Sequence, residues 1–389
     1  MNPTPNTHYD VAVCGGGFAG ISAALAAARE GRKVILFEKE YMLGGLGTAG
    51  LVTVYLPLCD GCGHQVSFGI AEELLRLSVT YGAETMYPGN WLDNDGPRGP
   101  EHHRFMVEYN PHLFSILAEK LLTEEGVDIL YGSYVVDTEV ADGRITALHV
   151  ENKSGRTAYR PRAVVDATGD ADIAHFVGAP TATFGRGNVL AGWYYYTDED
   201  GYKLQMLGAA DDFRGKPTGT RYTGLDGVQI SNMVRASHEM TLQHYLAKRE
   251  HNPSATLSTI ASIPQLRMTR RIVGEYEMTT DDDHAYFEDS VGMVGNWKQR
   301  GPIYEIPFRA LYSAGIRNLI TAGRCISTDE TLWDAMRVIP CCAVTGQAAG
   351  TAAALTDDFT TLDVGVLQEK LRDGGVRLHV EDVGLAPLK

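Results

Sequence analysis

The sequence contains few cysteines and no long apolar segment. Its 389 residues include six cysteines, too few to hold a secreted scaffold of this size together, so a reducing cytoplasm is the expected location. No apolar run approaches the roughly 20 residues that cross a bilayer. The first eight residues lack the basic segment followed by an apolar one that marks a signal peptide. We therefore expect a cytoplasmic protein with no membrane partner.

Basic residues are also in the minority. Lysine and arginine total 34 against 49 aspartates and glutamates, which gives a net charge of −15. A surface of this charge repels phosphate backbones and anionic lipids, so we expect no nucleic acid partner either. The content of 44% hydrophobic and 21% charged residues is typical of a globular protein. The length suits one large domain or two intertwined domains.

A glycine-bearing turn near the amino terminus predicts a nucleotide site. Residues 9–13 form a short apolar run typical of a strand, and the alanine-rich residues 21–29 favour a helix. Between them, Gly15, Gly17 and Gly20 occupy the glycine positions of G-x-G-x-x-G. Gly15 permits the tight turn, Gly17 lets a pyrophosphate approach the backbone, and Gly20 lets the helix lie close to the strand. Free amides and a partial charge of roughly +0.5 at the helix start would hold the phosphates.

Glu38 strengthens this interpretation. It ends the next strand, where a carboxylate accepts hydrogen bonds from ribose hydroxyls. A carboxylate at this position repels a 2′-phosphate, which argues against NADP. The alternative, a tight turn that binds no nucleotide, would require the strand, turn, helix and acidic residue to coincide by chance.

A second glycine-bearing segment lies near the other end of the chain. Residues 318–324 form an apolar run that ends in Gly323 and Arg324, and a small-residue stretch opens at Pro340. We interpret this segment as the far end of the site for a long flavin cofactor.

Turn signals divide the chain into a discontinuous nucleotide domain and an inserted region. Asn110 and Pro111 form a good helix start, and the glycine turns at 142–143 and 154–155 predict a hairpin meander. The expected fold class is α/β, a Rossmann-like FAD-binding domain with a β-meander plus an inserted α+β substrate domain. The expected divisions are the discontinuous FAD-binding domain over 8–58, 105–185 and 316–357, an excursion near the flavin over 59–104, a substrate or cap domain over 186–315, and a carboxyl-terminal extension over 358–389.

Several segments together resemble a known family. The chain is similar to FAD-dependent oxidoreductases of the glutathione-reductase-like superfamily, in the branch akin to fumarate reductase flavoproteins that has no separate NAD domain. The resemblance extends from Asp10 to about residue 354, and its motifs are specific for FAD but not for a substrate. The segments that carry it are Gly15–Gly20, Glu38, Leu43-Gly44-Gly45, Asp166-Ala167-Thr168-Gly169-Asp170, residues 320–327 and Arg337-Val338-Ile339-Pro340.

The resemblance implies a role for each of these positions. Glu38 would hold the adenosine ribose, and residues 135–136 would meet the adenine through the backbone. Residues 323–324 would hold the ribityl-phosphate end, although relatives often carry an acidic residue where this chain has Arg324; the alternative is a surface ion pair. The helix near Pro340 would direct its positive amino end at the flavin. The alternative is that Pro340 only marks the start of a helix and has no role at the flavin. The implied cofactor-binding residues are Gly15, Gly17, Phe18, Ala19, Gly20, Glu38, Lys39, Gly44, Gly45, Thr48, Val135, Val136, Thr168, Gly169, Asp170, Gly323, Arg324, Arg337 and Val338.

Two features of the family's relatives are missing. Residues 100–315 contain no second G-x-G-x-x-G, so a pyridine-nucleotide domain is not expected, and the electron donor or acceptor is not identified. No histidine lies between Glu38 and Gly45, where some relatives attach the flavin covalently. We therefore expect noncovalently bound FAD.

The string from Cys59 to His64 contains a C-x-x-C pair. Cys59 and Cys62 could exchange electrons with a flavin as a disulfide, with His64 lowering a thiol pKa. Flavin disulfide enzymes place their cysteines closer to the Gly44-Gly45 loop, so we favour a buried turn near the flavin. A metal site is disfavoured because the chain lacks a second such pair.

Candidate catalytic residues lie in the inserted region. Arg267, Arg270 and Arg271 precede a predicted strand over 272–276. In relatives resembling fumarate reductase an arginine binds a carboxylate and passes protons, so Arg270 and Arg271 are candidates for binding an acidic substrate. The alternative is that they pair with the acidic residues over 275–283.

Two aromatic features complete the candidates. Tyr304 lies on a predicted strand that returns toward the flavin domain, so it could donate a proton. The aromatic residues 193–196 could form a substrate wall, although the core of a sheet is favoured.

The sequence thus predicts an oxidoreductase that moves a hydride between flavin N5 and a small organic substrate. The alternatives are a thiol–disulfide flavoprotein that uses Cys59 and Cys62, and a nonredox or RNA-modifying flavoprotein. The expected partners are a small molecule and an unidentified electron donor or acceptor. A homo-oligomer is compatible with the sequence.

Overall fold

The computed structural model describes residues 7–81, 106–208 and 219–388. Half of the excursion predicted over 59–104, from residue 82 onward, lies outside the described residues. The first six residues, which bear on the signal-peptide prediction, also lie outside them. Among the described residues, no helix is both long and apolar enough to cross a bilayer.

The strands include a central sheet and several smaller sheets. Their bounds are β1 (His8–Cys14), β2 (Val34–Phe37), β3 (Val54–Tyr55), β4 (Val107–Glu108), β5 (Asp128–Leu130), β6 (Tyr134–Ala141), β7 (Arg144–Asn152), β8 (Gly155–Asp166), β9 (Thr181–Thr183), β10 (Tyr194–Asp198), β11 (Gly201–Gln205), β12 (Thr256–Ile260), β13 (Arg270–Ile272), β14 (Ser290–Gly295), β15 (Ile303–Pro307) and β16 (Leu319–Thr321).

The helices cover the central sheet and extend into the region after it. Their bounds are α1 (Phe18–Arg29), α2 (Ile70–Val79), α3 (Pro111–Glu124), α4 (Asp172–Phe176), α5 (Gly227–His251), α6 (Trp333–Met336), α7 (Ile339–Leu355) and α8 (Val364–Asp373). The predicted start of α3 is confirmed. The Asn110 side chain accepts hydrogen bonds from the amides of His112 and Leu113, both at 3.0 Å, and Pro111 follows it.

The central sheet has the strand order β5-β2-β1-β8-β7-β6, and β16 also pairs with β8. Strands β5, β2, β1, β8 and β16 are parallel to one another. The first half of β8 pairs antiparallel with β7, and its second half pairs parallel with β1. The predicted meander is confirmed, and the turn between β6 and β7 has positive φ at Asp142 (51°) and Gly143 (69°).

Helices α1 and α7 pack closely through small residues. A Cβ at Gly346 would lie 2.3 Å from the Ala19 carbonyl oxygen, and one at Gly350 would lie 2.1 Å from that of Ala23. Any side chain at either position would therefore force the helices apart. This contact joins the two glycine-bearing segments, one from each end of the sequence, in a single packed unit.

The region after the meander combines strands and helices, which confirms the predicted fold class. Strands β11, β10 and β12 form an antiparallel sheet. The Tyr194 hydroxyl of β10 lies 2.9 Å from His244 Nδ1 of α5. Strand β13 pairs with β9, and β14 pairs with β15. The boundaries between the predicted domains remain predictions.

The strand predicted over 272–276 is wrong. Strand β13 ends at Ile272, so Arg270 and Arg271 lie within the strand rather than ahead of it. Beyond it, the backbone leaves β9 and follows a turn, where the amide of Glu275 donates to the Tyr312 carbonyl at 3.1 Å. Backbone hydrogen bonds to the segment around Tyr312 thus replace the strand pairing that the apolar pattern predicts. Sequence periodicity does not show which of these two partners the backbone takes.

Candidate cofactor and substrate site

A cavity of about 1130 Å³ opens at the carboxyl ends of the parallel strands. Cys14, Phe37, Ala167 and Ala322, which end or follow β1, β2, β8 and β16, lie in its wall. Ligands of open α/β sheets bind at this edge. The volume exceeds the usual range of about 300–1,000 Å³ for small-ligand pockets, so the cavity can hold a long ligand.

The glycine turn between β1 and α1 has the geometry that a pyrophosphate site needs. Gly15 has a φ of +104°, and a Cβ there would lie 2.5 Å from the Ala167 carbonyl oxygen. A Cβ at Gly20 would lie only 1.8 Å from the Gly15 carbonyl oxygen. Gly17 differs, because it lines the cavity and a Cβ on it would meet no atom within 4 Å. The protein itself thus excludes side chains at Gly15 and Gly20, whereas Gly17 faces space that a ligand can occupy.

The Glu38 carboxylate lies beside this turn. Its residue is 5% exposed, and its two oxygens accept hydrogen bonds from the amides of Gly16 at 2.6 Å and Glu40 at 2.8 Å. Burial raises the pKa of the carboxyl, while these amides act to lower it. Glu38 lines the cavity together with Val135, but Val136 does not. The carboxylate is fixed where the ribose of an adenosine would lie.

The loop after β2 closes over the glycine turn. The Gly44 amide donates to the Gly16 carbonyl at 2.7 Å, and Gly44, Gly45 and Lys39 all line the cavity. The Thr48 hydroxyl donates to the Leu43 carbonyl at 2.6 Å, and Thr48 is not among the lining residues. Thr48 therefore holds the loop in shape and does not face the cavity.

The turn over residues 168–172 is held from behind by arginine. Thr168, Gly169 and Asp170 line the cavity. Arg270 Nε donates to the Asp170 carbonyl at 3.0 Å, and Arg270 Nη2 donates to Asp172 Oδ1 at 2.7 Å. Burial raises the pKa of the Asp172 carboxyl to about 6, and neighbouring aspartates add to the shift. This turn is a fixed part of the wall.

The second glycine-bearing segment supplies the other end of the cavity. Gly323, Arg324, Arg337 and Val338 all line it. Val338 caps α7 without a side-chain hydrogen bond, so the first amides of this helix and its partial positive charge lie at the cavity. Arg324 Nη1 donates to the carbonyl of Leu266 at 3.0 Å, and its Nη2 lies 3.5 Å from Asp170 Oδ1. Arg324 thus lies in the wall and also makes an ion pair, although this pair is largely buried rather than at the surface.

These residues fit an extended dinucleotide. The described wall offers open space at Gly17, a fixed acceptor at Glu38, and the amino ends of two helices. Phe18 and Ala19 of α1 also line the cavity. Gly20 contributes through packing alone. A flavin dinucleotide would span from the Glu38 end to the α7 end.

The four predicted catalytic residues, Arg270, Arg271, Tyr304 and His64, are not among those that line the cavity. Arg271 Nη2 donates to Glu277 Oε1 at 3.0 Å, which matches the ion-pair alternative. Tyr304 is buried, and burial raises the pKa of its phenol. His64 Nδ1 lies 2.8 Å from Asp60 Oδ2. The catalytic roles of these residues remain predictions.

The C-x-x-C string forms a tight turn around one carboxylate. Asp60 Oδ1 accepts hydrogen bonds from the amides of Cys62 at 2.7 Å and His64 at 3.1 Å. Cys59 is buried, Cys62 is exposed, and neither lines the cavity. Within the described part of the chain, no group of three or more metal-ligating side chains occurs.

Sequence reasoning identified only part of the cavity wall outside the glycine turns. Trp193, one of the aromatic residues considered for a substrate wall, lines the cavity. Arg267, Trp297 and aliphatic residues of segments 52–56 and 262–266 also line it, and the sequence predicts no role in the site for them. Residues Tyr194 to Tyr196 are buried in strand β10, as the sheet-core alternative predicts, whereas Trp193 lines the cavity. The position of Trp193 directly before strand β10 distinguishes it from the three buried tyrosines that follow.

The sequence model of the family described as FAD dependent oxidoreductase matches residues 10–192 and 194–371. The tRNA uridine 5-carboxymethylaminomethyl modification enzyme MnmG of Lactococcus lactis subsp. cremoris is 24% identical over 209 residues, which cover 53% of this chain and 30% of that enzyme. The thiamine thiazole synthase of Archaeoglobus fulgidus is 28% identical over 180 residues, which cover 42% of this chain and 57% of the synthase. The chain thus spans less than two thirds of either relative.

Among solved structures, p-nitrophenol 4-monooxygenase PnpA from Pseudomonas putida DLL-E4 is similar with a TM-score of 0.51. The sequences are 14% identical, and the match covers 95% of this chain and 84% of that one. This likeness concerns the fold, and it extends over nearly all of the chain.

Proposed function

The chain belongs to the FAD dependent oxidoreductase family, and from that premise we propose that it transfers a hydride between N5 of FAD and a small organic substrate. FAD is the cofactor and the protein is an oxidoreductase. The observation that supports hydride transfer to a substrate is that one cavity includes both the cofactor residues and an apolar wall. The same cavity is lined by the cofactor residues Gly17 and Glu38 and by the apolar side chains of Val54, Leu56 and Trp193. A substrate bound on the apolar side would share an enclosed space with the cofactor.

When bound, FAD supplies the hydride chemistry, because it accepts or donates a hydride at N5. The protein's contribution is to position the two molecules and to set the local electrostatics. Glu38 would accept hydrogen bonds from the ribose hydroxyls, and the amides at the start of α1 would donate hydrogen bonds to the pyrophosphate. The amino end of α7, at Val338 and Ile339, would stabilise negative charge near it.

The apolar wall would exclude water from the reacting centre. Val54, Leu56 and Leu266 line this part of the cavity. Excluding water strengthens electrostatic interactions within a site and suppresses side reactions of reduced cofactors. The positions of Cys59 and Cys62 outside the lining favour this proposal over thiol–disulfide exchange.

Anaerobic reduction of the FAD-loaded protein tests the proposal. We expect at least one class of small organic donor to bleach the yellow absorption of the protein, or at least one organic acceptor to restore it after chemical reduction. Dithionite serves as the control that the bound flavin can be reduced. If dithionite bleaches the protein but no organic donor or acceptor changes its redox state, the proposal is wrong.

A further inference from the structure

Part of the cavity wall outside the glycine turns is largely apolar, and we call the space beside it the apolar chamber. We define this chamber by the lining residues of segments 52–56, 193–208, 224–230 and 262–267 with Met106 and Trp297. Most of these residues carry aliphatic or aromatic side chains. Two indole rings, those of Trp193 and Trp297, belong to it.

The chamber also contains one cation. Among the described residues that line it, Arg267 alone carries a formal charge. Arg267 is 7% exposed, and its guanidinium carbon lies 4.9 Å from the centroid of the Trp193 ring. Such stacking is favourable for a guanidinium and orients its plane.

The position of Arg267 is fixed by neighbouring groups. Its Nη2 donates to Gln265 Oε1 at 2.8 Å, and Gln265 Nε2 donates to the Gly50 carbonyl at 2.7 Å. Its backbone amide donates to Asn188 Oδ1 at 2.8 Å. The arginine is therefore tied to the loop that follows the cofactor-lining Gly44 segment. A preorganised guanidinium loses little conformational entropy when it binds an anion.

We propose that the chamber binds an apolar carboxylate, in which an aromatic ring or a group of similar size lies against the apolar wall and Arg267 binds the carboxylate. This inference rests on the proposed function, because it names the class of substrate for the same cavity. A guanidinium matches the two oxygens of a carboxylate in a planar, charge-assisted pair. The apolar surface of the ligand would be buried against the tryptophan and aliphatic side chains.

The composition of the wall disfavours a small dicarboxylate. Such a ligand carries two charges, and the chamber lining supplies one cation among the described residues. The neighbouring cavity arginines, Arg324 and Arg337, are already paired with Asp170 and Asp334. The second carboxylate would lose its hydration against apolar side chains, which is costly without a partner. A monocarboxylate with a large apolar group avoids this cost.

Calorimetric titration of the FAD-loaded protein tests the proposal, with 2-naphthoate, 2-naphthamide and succinate as probes. We expect 2-naphthoate to bind about 30-fold more tightly than 2-naphthamide, the size of effect expected for hydrogen bonds to a charged group. Arg267→Met should reduce this ratio to about threefold or less, because the amide loses little when the cation is removed. Arg267→Lys should keep part of the ratio, since it retains the charge without the planar fork.

Arg235→Met is the matched control, because it removes an exposed arginine from α5 and should leave the ratio unchanged. Thermal unfolding of each variant checks that the protein is folded. Equal affinities for 2-naphthoate and 2-naphthamide, or tighter binding of succinate than of 2-naphthoate, would overturn the proposal. Because calorimetry measures binding without turnover, these outcomes are separate from the redox test of the proposed function.

Discussion

The clearest test of the cofactor site is a comparison of alanine substitutions at two glycines of the same turn. Gly17 lines the cavity at a φ of −70°, and a Cβ there would meet no protein atom within 4 Å. Gly20 faces inward, and its Cβ would lie 1.8 Å from the Gly15 carbonyl oxygen. Gly17→Ala should therefore affect the ligand, whereas Gly20→Ala should affect the fold.

The expected magnitudes follow from these contacts. For Gly17→Ala, the reduced entropy of the unfolded chain stabilises by about 0.4–1 kcal/mol, and the poorer helix cap costs a similar amount, so the free energy of unfolding should change by less than about 1 kcal/mol. A methyl group between the backbone and a pyrophosphate should cost about 1–3 kcal/mol of binding, or about 5- to 150-fold in Kd. Gly20→Ala should lower the free energy of unfolding by about 3 kcal/mol, because α1 must move away from the turn at Gly15.

The assay has two parts, urea unfolding of the FAD-free protein and titration of that protein with FAD. Gly227→Ala is the matched control, because a Cβ there also meets no atom within 4 Å and the residue does not line the cavity. It should leave FAD affinity unchanged. If Gly17→Ala binds FAD as tightly as the native protein, the pyrophosphate does not approach Gly17 and the assignment of this turn is wrong.

Three further predictions concern groups around the cavity. Arg270→Met should weaken FAD binding about tenfold, because the turn that lines the cavity loses its support; an unchanged Kd in the FAD titration would contradict this role. The pKa of Asp172 is raised to about 6, so the folded state holds the proton more tightly, and the free energy of unfolding should fall as the pH rises from about 4 to about 6. In Asp172→Asn that fall should be smaller. The difference should be modest, since the native side chain is 39% exposed and screened by solvent. If the free energy of unfolding in urea falls equally with pH in the variant and the native protein, this prediction is wrong. Replacing both Cys59 and Cys62 with serine should leave anaerobic reduction of the bound FAD unchanged, and loss of reduction would instead support thiol–disulfide exchange.

The cofactor half of the site could be predicted from the sequence because its chemistry is local. The turn over Gly15–Gly20 needs particular glycines at particular spacings, and the carboxylate of Glu38 must follow the next strand. Such constraints fall on residues that are close together in the sequence, so they can be recognised without the structure. The structure accordingly places both in the cavity wall.

The substrate half could not be predicted in this way. Its wall combines single residues from separate segments, such as Leu56, Trp193 and Trp297, and no spacing rule connects them. The three arginines over 267–271 also cannot be distinguished from one another by residue type. Arg270 supports the turn and Arg271 pairs with Glu277, whereas Arg267 lines the cavity. Which of these arginines meets the cavity is a property of tertiary packing.

The packing of α1 against α7 explains how motifs from opposite ends of the chain can serve one ligand. A Cβ at Gly346 or Gly350 would lie within 2.3 Å of a backbone oxygen of α1, so the two helices are in direct backbone contact and cannot slide without a clash. The amino ends of both helices line the same cavity. The distance between the amino ends of α1 and α7 is therefore set by the protein core before any cofactor binds. Binding of FAD consequently requires little free energy to bring these two helix ends into position. A substitution that separates these helices should consequently weaken FAD binding even though it lies outside the cavity.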